Sequence, residues 1–232
     1  MGAAAKNLTP VTLELGGKSP VLMGRTADIG DVARRVMKAK TFNAGQLCHA
    51  PDYVLLPKGT EDAFVAFATE AVRDMYGALK ENDDYTSIFN ERHFKRLRSW
   101  IDDAKQKGAR VIELNPAGED FGSSNLHRLP PSLILDVNEE MTVMQDEIFG
   151  PLLPIKIYDH IEEAIIYVRN HPSPLALYLL FLTLAPSIGG AEHRKSSTFC
   201  GLLLDRKPTH FCRRRSRRSD AANAQTSYRS CS

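Results

Sequence analysis

Cysteine is scarce in this chain: its 232 residues include four. That is too few for a secreted scaffold stapled by disulfides. Long apolar runs are missing as well. The longest candidate, residues 175–185, has 11 residues, well short of the ~20 that span a bilayer as a helix. Residues 1–7 have neither the charged start nor the apolar stretch of a signal peptide. No His, Cys, Asp or Glu residues stand at metal-ligand spacing. There is no G-x-G-x-x-G motif, no phosphate-binding P-loop and no internal repeat. These absences argue against a membrane span, a secreted scaffold and a metal centre, and set the expectation of a cytoplasmic protein. Hydrophobic residues make up 43% and charged residues 25%, enough apolar side chain to bury a core in one large domain or two small ones.

The net charge of +2 hides an asymmetry. Residues 1–178 carry 20 basic and 25 acidic side chains, whereas residues 179–232 carry 10 and 3. Cys48 is alone in the first part; Cys200, Cys212 and Cys231 crowd the second. The seam near residue 178 separates two chemically distinct segments. Beyond it no period of 2 or 3.6 is sustained, and residues 213–218 are arginines broken only by Ser216. Such a composition predicts poor order. An arginine run attracts phosphate non-specifically, but no aromatic side chain interleaves with it, which argues against a nucleic-acid partner.

The first part alternates strand and helix patterns. Residues 11–15 read as a short strand stopped by Gly16-Gly17, and a second starts at Pro20. Asp28 is placed to cap a helix from about Asp31, with Val32, Val36, Met37 and Ala39 on its apolar face. Residues 53–56 read as a strand. Phe64, Val65, Ala68, Val72 and Met75 then recur at helical spacing. Asn90 caps another helix, with Phe94, Leu97 and Ile101 buried. Strands follow at 111–114, 131–135 and 152–158, then a helix at 161–169 and a last strand from Leu175. Strands separated by helices of this length predict an α/β fold with a largely parallel sheet.

Few residues in this part suggest chemistry. Cys48 lies in Phe42-Asn43-Ala44-Gly45-Gln46-Leu47-Cys48-His49-Ala50-Pro51, between a helix and a strand pattern, where functional side chains tend to be mounted. By itself it reads as a small buried apolar residue or as a nucleophile. Glu14 interrupts an apolar strand just before Leu15-Gly16-Gly17. It reads as an outward-facing residue or as a general base with room for a water. Glu147, before Ile148-Phe149-Gly150-Pro151, reads as a turn residue or an acceptor of sugar hydroxyls. His49 adjoins Cys48, but adjacent residues in a loop rarely present side chains to each other.

Taken together, three stretches carry more. Val11-Thr12-Leu13-Glu14-Leu15-Gly16-Gly17-Lys18-Ser19-Pro20, Phe42-Asn43-Ala44-Gly45-Gln46-Leu47-Cys48 and Gln145-Asp146-Glu147-Ile148-Phe149-Gly150-Pro151 closely resemble the signature stretches of NAD(P)-dependent aldehyde dehydrogenases. Order and spacing agree: Glu14 precedes Cys48 by 34 residues, and Cys48 precedes Glu147 by 99. Ala50-Pro51-Asp52-Tyr53 and Pro174-Leu175-Ala176-Leu177-Tyr178 are similar to the branch holding the class 3 and coniferyl aldehyde dehydrogenases. The resemblance runs from residue 4 to about 178. It implies a catalytic domain of the aldehyde dehydrogenase fold over 20–178. Residues 1–19 would be a remnant of the dinucleotide-binding domain, and 179–232 a divergent, irregular basic tail. It implies Cys48 as the nucleophile, forming a thiohemiacetal and then a thioester, with its own backbone N–H donating to the oxyanion. Glu14 would activate the hydrolytic water. Glu147 would bind the nicotinamide ribose hydroxyls, with Phe149 packed nearby. Lys18, Gly16 and Gly17 would shape the backbone. The implied cofactor is NAD or NADP. The implied partners are a small-molecule aldehyde, aromatic and coniferyl-like, and further copies of the chain in a homo-oligomer.

The chain also departs from the family. Its members are considerably longer on the N-terminal side, in the portion carrying the dinucleotide glycine turn, a lysine for the adenosine ribose and the asparagine that completes the oxyanion hole. After the position of Tyr178 they continue with a helix, a Pro-Phe-Gly-Gly stretch and an oligomer-contact segment. None is recognisable in residues 179–232, whose swing to Arg, Ser and Cys reads as a shifted reading frame. These departures set the expectation that dehydrogenase turnover by the 232-residue chain is impaired. The alternative is an inactive remnant that associates with intact homologous subunits.

Overall fold

The computed structural model describes residues 1–12, 16–122, 126–184 and 195–203. Its strands are β1 (Pro20–Met23), β2 (Tyr53–Pro57), β3 (Arg110–Glu113), β4 (Ser132–Leu135), β5 (Leu152–Tyr158), β6 (Ala176–Leu184) and β7 (Lys195–Leu203). The helices are α1 (Gly2–Lys6), α2 (Ile29–Thr41), α3 (Glu61–Tyr76), α4 (Glu91–Gln106), α5 (Thr142–Gln145) and α6 (Ile161–Asn170). The seven strands of the described residues join one sheet in the order β3-β4-β5-β2-β1-β6-β7. The five central strands are parallel. The outermost, β3 and β7, run antiparallel to their neighbours. The expected α/β fold with a mostly parallel sheet is what the chain adopts.

Every residue of β1, β2 and β4 is buried. Both faces of a parallel sheet are covered, so its strands are apolar throughout rather than alternating. The side chains still divide by the period of 2. Val21, Met23, Val54, Leu56, Leu133 and Leu153 share one core with Val32 and Val36 of α2 and Phe64 and Ala68 of α3. On the other face Leu22, Tyr53 and Leu55 meet Ala164 of α6. Ile134 and Leu152 there join Leu97 and Trp100 of α4 and Val143 of α5. The caps act as the sequence predicts. Asp28 accepts a hydrogen bond from the Asp31 N–H at 2.8 Å, and Asn90 one from the His93 N–H at 2.9 Å. Each such cap is worth about 1 kcal/mol.

Two segments differ from expectation. Val11 and Thr12 are exposed and not in a strand, and residues 13–15 lie outside the described residues. A strand needs a neighbour for its ladder, and no described strand pairs with Val11 or Thr12. At the other end β6 runs past residue 178 to Leu184 and pairs with β7, inside the tail. An antiparallel partner there closes what would otherwise be an open sheet edge. Residues 185–194 and 204–232, with the arginine run, lie outside the described residues.

One consequence of the strand order positions the site. β5, β2 and β1 are adjacent and parallel, so their amino ends lie side by side. The segments entering them are 145–151, 42–52 and 16–19, the three singled out in the sequence. Ligands of open parallel sheets usually sit at the carboxyl edge; here Cys48, Glu147 and Phe149 lie in segments at the amino edge.

Candidate active site

Side chains tie the three segments together. Lys18 forms an ion pair with Asp52 and donates to the carbonyls of Val143 and Asp146, each at 2.8 Å. Asp52 Oδ1 accepts from the Ile148 N–H at 2.9 Å. The segments also touch through backbone where side chains have no room. Gly16 and Gly45 take φ of 69° and 72°. A Cβ on Gly16 would collide with the Glu147 carboxylate, and one on Gly45 with the Gly150 carbonyl. Glu147 therefore lies against a residue two positions beyond Glu14, while Glu14 itself lies outside the described residues. Asp52, which holds two of the segments to each other, was not singled out from the sequence. Its signals were its place in Ala50-Pro51-Asp52-Tyr53 and a carboxylate immediately before a continuously apolar strand.

The loop carrying Cys48 leaves α2 through an unusual backbone. Asn43, Ala44 and Gly45 are all left-handed, at φ 50°, 51° and 72°. For alanine that conformation costs about 1–2 kcal/mol. Buried Gln46 holds the loop: its amide donates to Asn43 O at 3.1 Å and Ser87 O at 3.0 Å, and its carbonyl accepts from the Phe89 N–H at 3.0 Å. The thiol of Cys48 is exposed, which removes the reading of a buried apolar filler. Its Sγ lies 3.8 Å from His49 Nδ1, so these neighbours do meet. The Tyr178 hydroxyl donates to His49 O and anchors the peptide that follows His49. Burial, and then the charge of Cys48, push the Tyr178 hydroxyl pKa upward. Gln46 and Tyr178 were also missed as loop-holding residues. The Asn-Ala-Gly run was legible in principle, since Asn and Gly favour left-handed backbone.

Glu147 is half-buried. Burial foremost, with the nearby Asp52 charge, raises its carboxyl pKa; a hydrogen bond from the Gly17 N–H and the charges of Lys18 and Lys40 oppose the rise. A cavity of about 310 Å³ opens here, lined by Gly17, Lys18, Tyr53, Glu147, Tyr167 and His171 among others. Phe149, half-buried, sits at φ 49°, a strained conformation for a bulky residue. A carboxylate facing a cavity beside glycine backbone suits a pair of sugar hydroxyls. Among the described residues no cluster of His, Cys, Asp and Glu could hold a metal ion, and no helix is long and apolar enough to cross a membrane.

Lys40 lies under this site. It is fully buried in α2, and among the described residues its Nζ has no hydrogen-bond partner. Burial lowers its pKa from 10.5 to about 8, against the attraction of Asp52. Below pH 8 both folded and unfolded chains carry the charge, and the full desolvation cost is present. From pH 8 to 10.5 the folded chain releases the proton more readily, and the cost fades. Lys40→Met is therefore expected to raise the unfolding free energy by about 3 kcal/mol at pH 7, with the gain shrinking towards pH 10. Urea melts at the two pH values check this.

The fold and site define a class: an α/β domain that carries, on segments entering neighbouring strands of one sheet edge, an exposed thiol on a strained loop and a half-buried carboxylate in a cleft. The model of the aldehyde dehydrogenase family matches residues 1–179, and the chain belongs to that family. Coniferyl aldehyde dehydrogenase of Pseudomonas sp. (strain HR199) is 58% identical over 178 residues, covering 77% of this chain and 37% of that protein. The dimeric NADP-preferring aldehyde dehydrogenase of Rattus norvegicus is 41% identical over 180 residues, 77% of this chain and 38% of that one. Among solved structures, Staphylococcus aureus AldH in its substrate-bound state matches with a TM-score of 0.67 at 37% identity, covering 77% of this chain and 37% of that chain. The chain thus spans little more than a third of the length of these relatives.

Proposed function

We propose that this chain carries the thiol half of an aldehyde dehydrogenase site, oxidising an aromatic, coniferyl-type aldehyde to its carboxylic acid with NAD or NADP. The observation that supports this most is the gathering of three distant segments at one sheet edge through Lys18, Asp52, Gly16 and Gly45, with the Cys48 thiol exposed on one of them. In this reading the Cys48 thiolate adds to the aldehyde carbon, and the new oxyanion takes a hydrogen bond from the Cys48 N–H. The cofactor, when bound, supplies the hydride acceptor. Glu147 would hold its ribose hydroxyls in the cleft, with Phe149 packed beside them. Loss of hydride leaves the acyl group on Sγ as a thioester. Glu14 removes a proton from water, the water oxygen attacks the thioester carbon, and the C–S bond breaks to release the acid and the thiolate. The dimeric relative supports self-association, and the lack of a membrane-crossing helix among the described residues accords with a cytoplasmic setting.

An activated ester tests the thiol chemistry without cofactor. With p-nitrophenyl acetate, wild type is expected to release a burst of nitrophenolate and to carry the acetyl group on the Cys48 peptide in mass spectra. In Glu14→Gln the burst should persist while the acyl group outlives that of wild type by about 10²-fold. A chain that is never acylated at Cys48 refutes the proposal.

A further inference from the structure

Strand β6 buries one face better than the other. Leu180 and Tyr178 pack into the core formed with α2 and α3. The alternate residues Leu177, Leu179 and Phe181 floor an apolar groove of about 420 Å³ on the opposite face, and Ile165 and Arg169 of α6 stand in its wall. Phe181 is 38% exposed there. Strands of a parallel sheet normally have both faces covered, and among the described residues no second helix lies beside α6 over this groove.

The outer side of α6 extends the patch. Ile165 and Ile166 are 45% and 55% exposed, while Ala164 is buried against the sheet. Glu162 precedes this pair by one turn and Arg169 follows it by one turn. The four residues stand at i, i+3, i+4 and i+7, which places them on one stripe of the helix. All four are exposed, and neither Glu162 nor Arg169 forms an ion pair among the described residues. Glu163, beside the stripe, already accepts from the Asp159 N–H at 3.1 Å.

This order of residues is complementary to itself. Two α6 helices laid antiparallel about a two-fold axis set Ile165 of each against Ile166 of the other. The same axis sets Glu162 of each against Arg169 of the other. A parallel arrangement would oppose like charges instead. A surface that pairs with itself about a two-fold axis closes as a dimer. We propose that the outer side of α6 and the groove beside it form the surface by which this chain associates with a second copy of itself. The isoleucines lie at the centre, an ion pair lies at each end, and the grooves are shut off from water. This assignment rests on the self-association proposed above and is independent of the thiol chemistry.

Sedimentation equilibrium of the full chain in reducing buffer at low salt tests it. Wild type is expected to be a reversible dimer. Glu162→Arg and Arg169→Glu should each weaken it by at least about tenfold, because each turns two attractions into two repulsions. The double variant Glu162→Arg/Arg169→Glu should return to within about threefold of wild type. A mixture of the two single variants should form a mixed dimer, since every 162–169 contact is then of opposite sign. Ile166→Asp should leave monomer, and Glu70→Arg on α3, across the sheet, should change nothing. Circular dichroism checks that each variant is folded. Should a reversal unfold the chain, Glu162→Gln and Arg169→Gln remove the charges singly and should each weaken the dimer by about fivefold, the scale of two exposed ion pairs. A wild type that is monomeric at every concentration overturns both the self-association and this surface. A dimer that the charge variants or Ile166→Asp leave intact, or that neither the double variant nor the mixture restores, overturns the surface alone.

Discussion

Cys48→Ala is expected to lower the burst of nitrophenolate from an activated ester by at least about 10³-fold while leaving the thermal midpoint within about a degree of wild type. The two halves of this expectation have separate causes. Chemically, the thiolate is the only group at this position able to take the acyl chain. Cys48→Ser should fail almost as completely, because a hydroxyl is scarcely ionised near neutral pH. Structurally, the thiol is exposed, and Gln46 holds the loop by three hydrogen bonds that do not involve it. Substitutions at such surface positions stay within about 0.5 kcal/mol. A burst that survives in the alanine variant would show that another group is the nucleophile.

Asp52→Ala is expected to cost about 3–5 kcal/mol of stability, the scale of removing one partner from a buried ion pair. Asp52 is 4% exposed, and it serves both Lys18 and the Ile148 N–H. Its loss leaves the Lys18 ammonium with two carbonyl acceptors but no counter-charge, and the Ile148 N–H without its acceptor. Asp52→Asn should cost less, since an amide carbonyl still accepts from Ile148 although the counter-charge is gone. Lys18→Met in the Asp52→Ala background should recover part of the loss, because the stranded charge is then absent. Denaturant melts of the four chains in this cycle give the coupling directly. Additive costs would mean that the pair does not hold the segments together. The same variants should lose ester burst in step with the loosened edge, although neither residue is proposed to touch the aldehyde.

Much of the architecture was legible before any coordinates. The caps at Asp28 and Asn90, the span of β5 and most of the apolar faces of α2 and α4 follow from rules that act within a dozen residues, although Ala39 is exposed and Phe94 half-buried. The three signature stretches were legible as patterns. The long-range links were not. Nothing local to Asp52 says that its carboxylate meets Lys18 and the Ile148 N–H, separated from it by 34 and 96 positions. Nothing local to Cys48 says whether the thiol is open or buried. The expectation for His49 went the other way because a left-handed run at 43–45 and an anchor from Tyr178 shape the loop, and the anchor belongs to another strand.

Composition, periodicity and the three stretches by themselves determined the α/β class, the family resemblance and the choice of Cys48, Glu14 and Glu147 as candidates. These are properties of residue type and spacing along the chain. Tertiary structure alone decided that the strand order sets three amino ends side by side, that Gly16 and Gly45 lie where no side chain fits, and that Lys40 is buried while Lys38, two residues earlier on the same helix, faces a cavity. Each depends on which surfaces pack together, and burial is a property of the packed molecule rather than of any stretch of it.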